Sequence, residues 1–220
     1  MRIFYKLLTC IKPVRKLLIA ILSTLSLGSL HTVTAANAGD ANNKNQLKLI
    51  RQAFEAADDG FDMAKTQNHY SGWVAEAIFE PLLSYDYMAR PLKLIALTST
   101  AMPQISDDGR VLEFEIKPGI YFSNDSAFKG KRRELVAQDY VYSFMRIMDP
   151  RNRSPHQSFI AGKIKGLDAL AEQARKSGKF DYDAKVSGLV AVNKYTLRIE
   201  LNDSDYNFPY VLAYAAFGAV

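Results

Sequence analysis

The sequence predicts an α+β fold in which hairpin-linked strands alternate with helices. Residues 111–117 alternate apolar and polar side chains, which is the period of a strand with one buried face. Residues 135–148 instead repeat apolar side chains at steps of three and four, which indicates an amphipathic helix. The chain shows no internal repeat and no low-complexity block. We therefore expect mixed secondary structure in a domain without repeat architecture.

The first half of this fold begins with a predicted strand at residues 47–54, followed by a loop over 57–69 that is poor in apolar residues. Ser71 is the predicted N-cap of a helix over 71–80, because serine side chains accept hydrogen bonds from first-turn N–H groups. Pro81 ends this helix. Its apolar face is predicted to contain Trp73, Val74, Ala77 and Ile78.

The remaining elements follow from turn residues and apolar spacing. A turn is predicted at 106–109, and Asp149-Pro150 ends the helix over 135–148. Further elements are predicted as a strand at 82–85, a helix at 166–176, a hairpin of 189–192 with 195–201, and an apolar segment at 207–217. The large side chains predicted to lie in the core are Trp73, Phe79, Phe114, Tyr140 and Phe144.

The N-terminal segment has the three parts of a secretory signal peptide. A basic stretch precedes a short apolar run, and Ala36-Asn37-Ala38 then supplies a cleavage site, with Val33-Thr34-Ala35 as an alternative. The apolar run is shorter than the roughly 20 residues that a membrane span needs. We expect residues 1–38 to be a signal peptide, with an uncleaved anchor as the alternative, and residues 39–46 to be a loose segment before the partial domain 47–220.

Charge and cysteine content exclude several classes of function. The net charge of +5 comes entirely from residues 1–38, which leaves 23 basic and 23 acidic residues in the remainder. We therefore expect no nucleic-acid partner. The lone Cys10 precedes the apolar run, so neither a lipid anchor nor a disulfide or thiolate site in the exported chain is expected.

Four ordered segments resemble motifs of one transport family. They are Ile78-Phe79-Glu80-Pro81-Leu82-Leu83, Ser106-Asp107-Asp108-Gly109-Arg110 with Phe114-Glu115-Ile116-Lys117-Pro118-Gly119-Ile120, Ala137-Gln138-Asp139-Tyr140-Val141-Tyr142-Ser143-Phe144, and Asp149-Pro150 with Ser154-Pro155. From residue 47 to 220 the sequence resembles the family 5 extracellular solute-binding proteins, the oligopeptide- and dipeptide-binding components of ABC importers. Two departures are Pro81 in place of a glycine and a basic insert at 128–133. This insert is more readily a solvated loop than an anion or membrane contact, and if it is functional, contact with the importer is one option.

This resemblance implies a periplasmic-binding-protein-like fold of class II, in which two lobes close on a ligand. Family members are longer than this chain, and its last residues form an apolar run without a stop signal. We therefore expect an incomplete fold, mainly the first lobe, truncated before the second lobe. A lone half-cleft would bind ligand weakly or not at all.

The resemblance also places candidate ligand-binding residues. Gln67, Asn68 and His69 align with the family's cleft-lining loop, which gives backbone hydrogen bonds to extended peptides. His156 falls after Ser154-Pro155, where an aromatic side chain often faces the ligand. Ordinary loop residues are the alternative reading at all four positions, and a haem or metal role for the two histidines is a minor one.

Enzyme signatures are absent from the sequence, which contains no phosphate-binding loop, no G-x-S-x-G elbow and no H-E-x-x-H pair. The adjacent pairs Asp58-Asp59 and Asp107-Asp108 are predicted to serve turns. We therefore expect a non-catalytic, monomeric, periplasmic receptor without a cofactor or a metal, which captures peptides or related small solutes for an ABC permease in the inner membrane. The alternatives are a nonfunctional remnant of such a protein and, less favoured, an exported hydrolase on a similar scaffold.

Overall fold

The computed structural model describes residues 49–220. The predicted segments 1–38 and 39–46, and the first two residues of the strand predicted at 47–54, lie outside this range. The strand prediction is wrong for residues 49–54, which are exposed coil. The physical reason is that a strand needs a partner for its backbone groups, and residues 49–54 pair with none of the strands in the described range.

Helix α1 (His69–Ile78) begins two residues earlier than predicted, because Asn68 rather than Ser71 caps it. The buried face is formed by Ser71 and Ala75. Trp73 and Ile78 are 44% and 56% exposed, so the predicted apolar face is wrong. Small residues face inward because α1 packs against the turn at Ala215–Phe217, where a large side chain would hold the two segments apart.

Two antiparallel sheets follow α1. Strands β1 (Leu83–Tyr85) and β2 (Leu94–Ala96) form a two-stranded sheet. The second sheet has the order β3-β4-β6-β5. Its strands are β3 (Gln104–Ile105), β4 (Val111–Glu115), β5 (Leu189–Ala191) and β6 (Thr196–Glu200).

The pairing in the four-stranded sheet confirms the predicted alternation in β4. Leu112 lies opposite Ile199, and Phe114 lies opposite Leu197, and all four side chains are buried. Ile116 continues the buried row beyond the strand end. Strand pairing with a common buried face fixes the register, because a slip of one residue would turn this row toward water.

Helix α2 (Ala137–Met148) covers the buried face of this sheet and contacts β5 and β6. Its predicted stripe is confirmed from Tyr140 onward, although half-buried Val136 precedes the helix. Helices α3 (Leu167–Ser177) and α4 (Phe208–Val211) complete the described elements. The buried stripe of α2 consists of Tyr140, Val141, Phe144, Met145 and Met148.

Tyr140 joins α2 to the segment that follows α1. Its side chain is fully buried, and its hydroxyl contacts Thr98 Oγ1 at 2.5 Å and donates to the Glu80 carbonyl at 3.2 Å. Burial raises the pKa of Tyr140 well above its usual range, so the hydroxyl remains a donor at all physiological pH values. Residues 53–220 form one compact unit. No helix in the described range is long and apolar enough to cross a membrane.

Residues 129–132 of the basic insert are exposed, as predicted. Arg132 stacks on the Tyr121 ring with 3.8 Å between its guanidinium carbon and the ring centroid. Arg133 is half-buried and forms an ion pair with Asp139, which in turn accepts the Val136 N–H at 2.8 Å. Asp139 thereby links the insert to the first turn of α2.

Candidate functional site

The loop that precedes α1 is fixed at its C-terminal end by Asn68. Its Oδ1 accepts the Tyr70 N–H at 2.8 Å, and its Nδ2 donates to the Ala57 carbonyl at 2.7 Å. The Asn68 carbonyl accepts the Gly72 N–H at 2.9 Å. Both ends of the Asn68 amide are therefore used within the protein, as is usual for an N-cap residue.

A second anchor of the same loop is Asp59. Its Oδ2 accepts the backbone N–H of Gln67 at 2.8 Å and that of Asn68 at 2.9 Å. The Asp59 N–H donates to Ser71 Oγ at 3.0 Å. Hydrogen bonds from Ser71 and from the Gln67 N–H lower the pKa of the Asp59 carboxyl below its usual value, so it is ionised at neutral pH.

The third anchor is His156, which is 6% exposed. Its Nε2 lies 3.1 Å from the Thr66 carbonyl oxygen, and because a carbonyl only accepts, Nε2 carries the proton. Burial lowers the pKa of His156, and the hydrogen bond to Thr66 raises it by less. The side chain is therefore a neutral bridge between the Ser154–His156 turn and the loop before α1.

The two candidate histidines lie in different environments. His69 is exposed, and its ring lies edge-on to Trp73 with centroids 4.6 Å apart. His156 instead contacts the rings of Phe159 and Tyr214, at centroid distances of 6.5 and 5.4 Å. Within residues 49–220, no group of three His, Cys, Asp or Glu side chains is arranged to hold a metal ion.

Tyr214, the ring next to His156, borders two cavities. The first, of 410 Å³, lies between the end of α1, β1 and the segment 213–215. The second is an aromatic groove of 220 Å³. Its lining residues are Tyr85, Phe159, Tyr210, Val211, Tyr214 and Phe217.

Sequence reasoning missed this aromatic groove. Tyr85 closes one side, where its hydroxyl donates to the Tyr210 carbonyl at 2.6 Å. The only signals were the aromatic content of 207–217 and the phenylalanine three residues after His156. Neither of these two signals indicates that Phe159 and the segment 207–217 lie beside Tyr85 of β1 in the fold.

A larger cavity of 720 Å³ lies beside the loop after α2, and Lys65 is its lining residue from the loop before α1. It is bordered by Asp149, Arg151, Arg153 and Arg175. Asp149 is already satisfied, since it pairs with Arg151 at 2.8 Å and accepts the Tyr182 hydroxyl at 2.8 Å. We attribute this cavity to the loop after α2 rather than to the candidate site.

Within Gln67–His69, two backbone groups have no hydrogen-bond partner among residues 49–220. The Gln67 and Asn68 N–H groups donate to Asp59 Oδ2, and the Asn68 carbonyl accepts the Gly72 N–H. Among the hydrogen bonds of residues 49–220, neither the Gln67 carbonyl nor the His69 N–H has a partner. One acceptor and one donor, two residues apart, can pair with the backbone of a single extended peptide residue.

Comparison with known proteins shows the family. Residues 69–220 match the model for bacterial extracellular solute-binding proteins, family 5 Middle. The chain is 32% identical over 120 residues to di/tripeptide-binding protein 2 of Pseudomonas aeruginosa, covering 53% of this chain and 21% of that protein. It is 24% identical over 184 residues to the periplasmic oligopeptide-binding protein OppA of Escherichia coli, covering 83% of this chain and 30% of that protein.

A solved structure shows the same fold. The Escherichia coli murein tripeptide binding protein MppA superposes with a TM-score of 0.56 and 26% identity, over 74% of this chain and 28% of that chain. The chain thus spans less than a third of each of these relatives. The match confirms the expected α+β, periplasmic-binding-protein-like fold, of which the present residues form a part. The chain belongs to the bacterial extracellular solute-binding proteins of family 5.

Proposed function

We propose that this chain supplies part of the ligand site of a substrate-binding component of an ABC importer that captures peptides. The observation that carries the proposal is the pair of free backbone groups, the Gln67 carbonyl and the His69 N–H, on a loop anchored at three points. Recognition through backbone groups suits ligands of varied sequence, because every peptide residue offers the same N–H and C=O.

The four predicted site residues take different roles in this proposal. Gln67 and His69 present backbone groups and exposed side chains to the ligand. Asn68 positions them, because its Oδ1 caps α1 and its Nδ2 donates to the Ala57 carbonyl. His156 supports the loop through Thr66 and backs the aromatic groove through Tyr214.

The aromatic groove completes the proposed site. Four of its lining side chains are between 37% and 45% exposed, namely Tyr85, Phe159, Tyr210 and Tyr214. Such rings offer apolar contact area at a low cost in conformational entropy. They suit the side chains of a peptide whose backbone lies on the loop before α1.

The wider function proposed here is transport rather than catalysis. The basic-apolar-small pattern of residues 1–38 supports export to the periplasm. The family and the names of the relatives support a peptide ligand and an ABC permease as partners. Hinge closure over the ligand would then create the form that the permease recognises. We propose that the receptor acts as a monomer and without a cofactor.

The test is residue-specific, so that weak binding still gives a signal. Trialanine is titrated into the ¹⁵N-labelled 220-residue chain, and amide chemical shifts are followed to millimolar peptide. The His69 amide is expected to move most among backbone amides, since its N–H gains an acceptor. Free alanine, which lacks a peptide bond, is the control ligand and should leave this amide in place. An unchanged His69 amide at millimolar trialanine would contradict the proposal.

A further inference from the structure

We propose that Asp59 is a positioning residue that aims the free backbone groups of the loop before α1 at a peptide ligand. This inference rests on the function proposed above. Sequence reasoning assigned the Asp58-Asp59 pair to a turn. In the structure the two side chains differ, because Asp58 Oδ1 accepts only the nearby Gly60 N–H at 3.0 Å, whereas Asp59 reaches eight and nine residues ahead.

The geometry of the peptide unit gives the mechanism. The Asn68 N–H and the Gln67 carbonyl belong to one trans peptide unit, in which they point in opposite directions. Because Asp59 Oδ2 holds the Asn68 N–H at 2.9 Å, the Gln67 carbonyl is directed away from Asp59. The Gln67 N–H, held at 2.8 Å by the same oxygen, fixes the preceding unit as well.

The next peptide unit is set by α1 in the same way. The Asn68 carbonyl accepts the Gly72 N–H, so the His69 N–H, in the same unit, points out of the helix N-terminus. One free group is thus oriented by Asp59 and the other by the helix. The distance between the Gln67 carbonyl and the His69 N–H, which a ligand residue must match, therefore depends on both Asp59 and α1.

Asp59 is itself fixed to α1. Its own N–H donates to Ser71 Oγ at 3.0 Å, and Ser71 is fully buried in the first turns of the helix. The negative carboxylate also lies at the positive N-terminal end of α1, which favours its ionised form. Loop and helix are therefore tied together through one residue.

The experiment compares Asp59→Ala with the matched control Asp58→Ala in the 220-residue chain. Amide hydrogen exchange of Gln67 and Asn68 and the trialanine affinity are both measured by NMR. Charge-assisted hydrogen bonds are strong enough that Asp59→Ala should speed exchange at both amides and weaken trialanine binding, each by about tenfold or more. Asp58→Ala should change neither quantity.

A conservative variant separates positioning from simple loss of structure. Asp59→Asn keeps an oxygen that can accept both N–H groups and should restore most of the affinity lost in Asp59→Ala. If Asp59→Ala loses exchange protection throughout residues 53–220, Ser71→Ala replaces it, because alanine is well tolerated in a helix. Ser71→Ala should weaken trialanine binding by a smaller factor.

The outcomes distinguish this inference from the proposed function. A wild-type chain that binds trialanine, with both Asp59→Ala and Asp59→Asn binding it as expected, supports both proposals. Wild-type binding with unchanged affinity in folded Asp59→Ala, or with no recovery in Asp59→Asn, overturns the role of Asp59 and leaves the proposed function intact. A wild-type chain that ignores trialanine overturns the proposed function and this inference with it.

Discussion

Residues 94–201 and residues 54–80 are held together by different interactions. The first region buries a continuous apolar layer between the four-stranded sheet and α2, with Leu112, Phe114 and Phe144 almost fully excluded from water. The second region instead uses the short polar side chains of Asp59, Asn68 and Ser71 to satisfy backbone groups. The apolar layer thus carries a loop whose backbone is held by polar side chains and which adds Met63 and Ala64 to the buried residues.

The largest effect is expected from Phe144→Ala in the apolar layer. The ring is fully buried in α2 and packs on Phe217 with centroids 5.3 Å apart. Its removal leaves a cavity and should lower the free energy of unfolding by about 3–5 kcal/mol. Urea denaturation measures this loss. The control is Tyr142→Ala on the same helix, where the side chain is 41% exposed. Equal losses in the two variants would contradict the assignment of the core.

An intermediate effect is expected from His156→Gln, which breaks the link between the two regions. At pH 8 the loss of the Thr66 contact should cost about 1–3 kcal/mol. The folded-state pKa of His156 lies below the unfolded value of 6.5, so the unfolded chain binds the proton more readily. The contribution of His156 to the free energy of unfolding should therefore be complete above pH 6.5 and should fall as the pH drops below that value.

The pH profile of the free energy of unfolding checks this prediction. The difference between wild type and His156→Gln should shrink from pH 8 to pH 5.5, because only the wild type carries the titrating ring. If the difference in free energy of unfolding between the two proteins grew toward low pH, the pKa of His156 would be raised rather than lowered by folding.

The smallest effect is expected from Trp73→Ala in the polar region. The ring is 44% exposed and touches Phe54, His69 and Tyr70 at centroid distances of 4.6–6.2 Å. Losing these surface contacts should cost about 1 kcal/mol, measured by the same urea denaturation. A loss as large as that of Phe144→Ala would mean that α1 buries this face after all.

Apolar periodicity predicted the first region well and the second poorly. The alternation in β4 and the stripe of α2 each identify a buried face directly, because a large apolar layer lies against them. In α1 the same logic selected Trp73 and Ile78, which are exposed. The inward face carries Ser71 and Ala75, since close packing against Ala215–Phe217 requires small side chains. The spacing of large apolar side chains cannot predict a helix face that packs through small residues.

The candidate site shows the same division. The resemblance to the family placed Gln67, Asn68, His69 and His156 as candidates, but it did not indicate which contacts each residue makes in the fold. His156 contacts Thr66, which is 90 residues away in the chain. The aromatic groove joins residues from β1, the segment after His156 and α4. Contacts over such separations depend on how the elements pack, and no local pattern specifies them.

The sequence by itself determined β4, β5, β6 and α2 of the apolar layer, but not β3, and it indicated a resemblance to a solute-binding family. Local side-chain spacing and turn chemistry are sufficient for these strands and for α2, because each depends on neighbouring residues, whereas the family rests on the order of its motifs. Only the tertiary structure decided that Asp59 holds the loop before α1, that His156 is a buried bridge, and that the Gln67 carbonyl and His69 N–H have no hydrogen-bond partner within residues 49–220. Those features depend on which backbone groups find partners after the chain has packed, and this is a property of the whole fold.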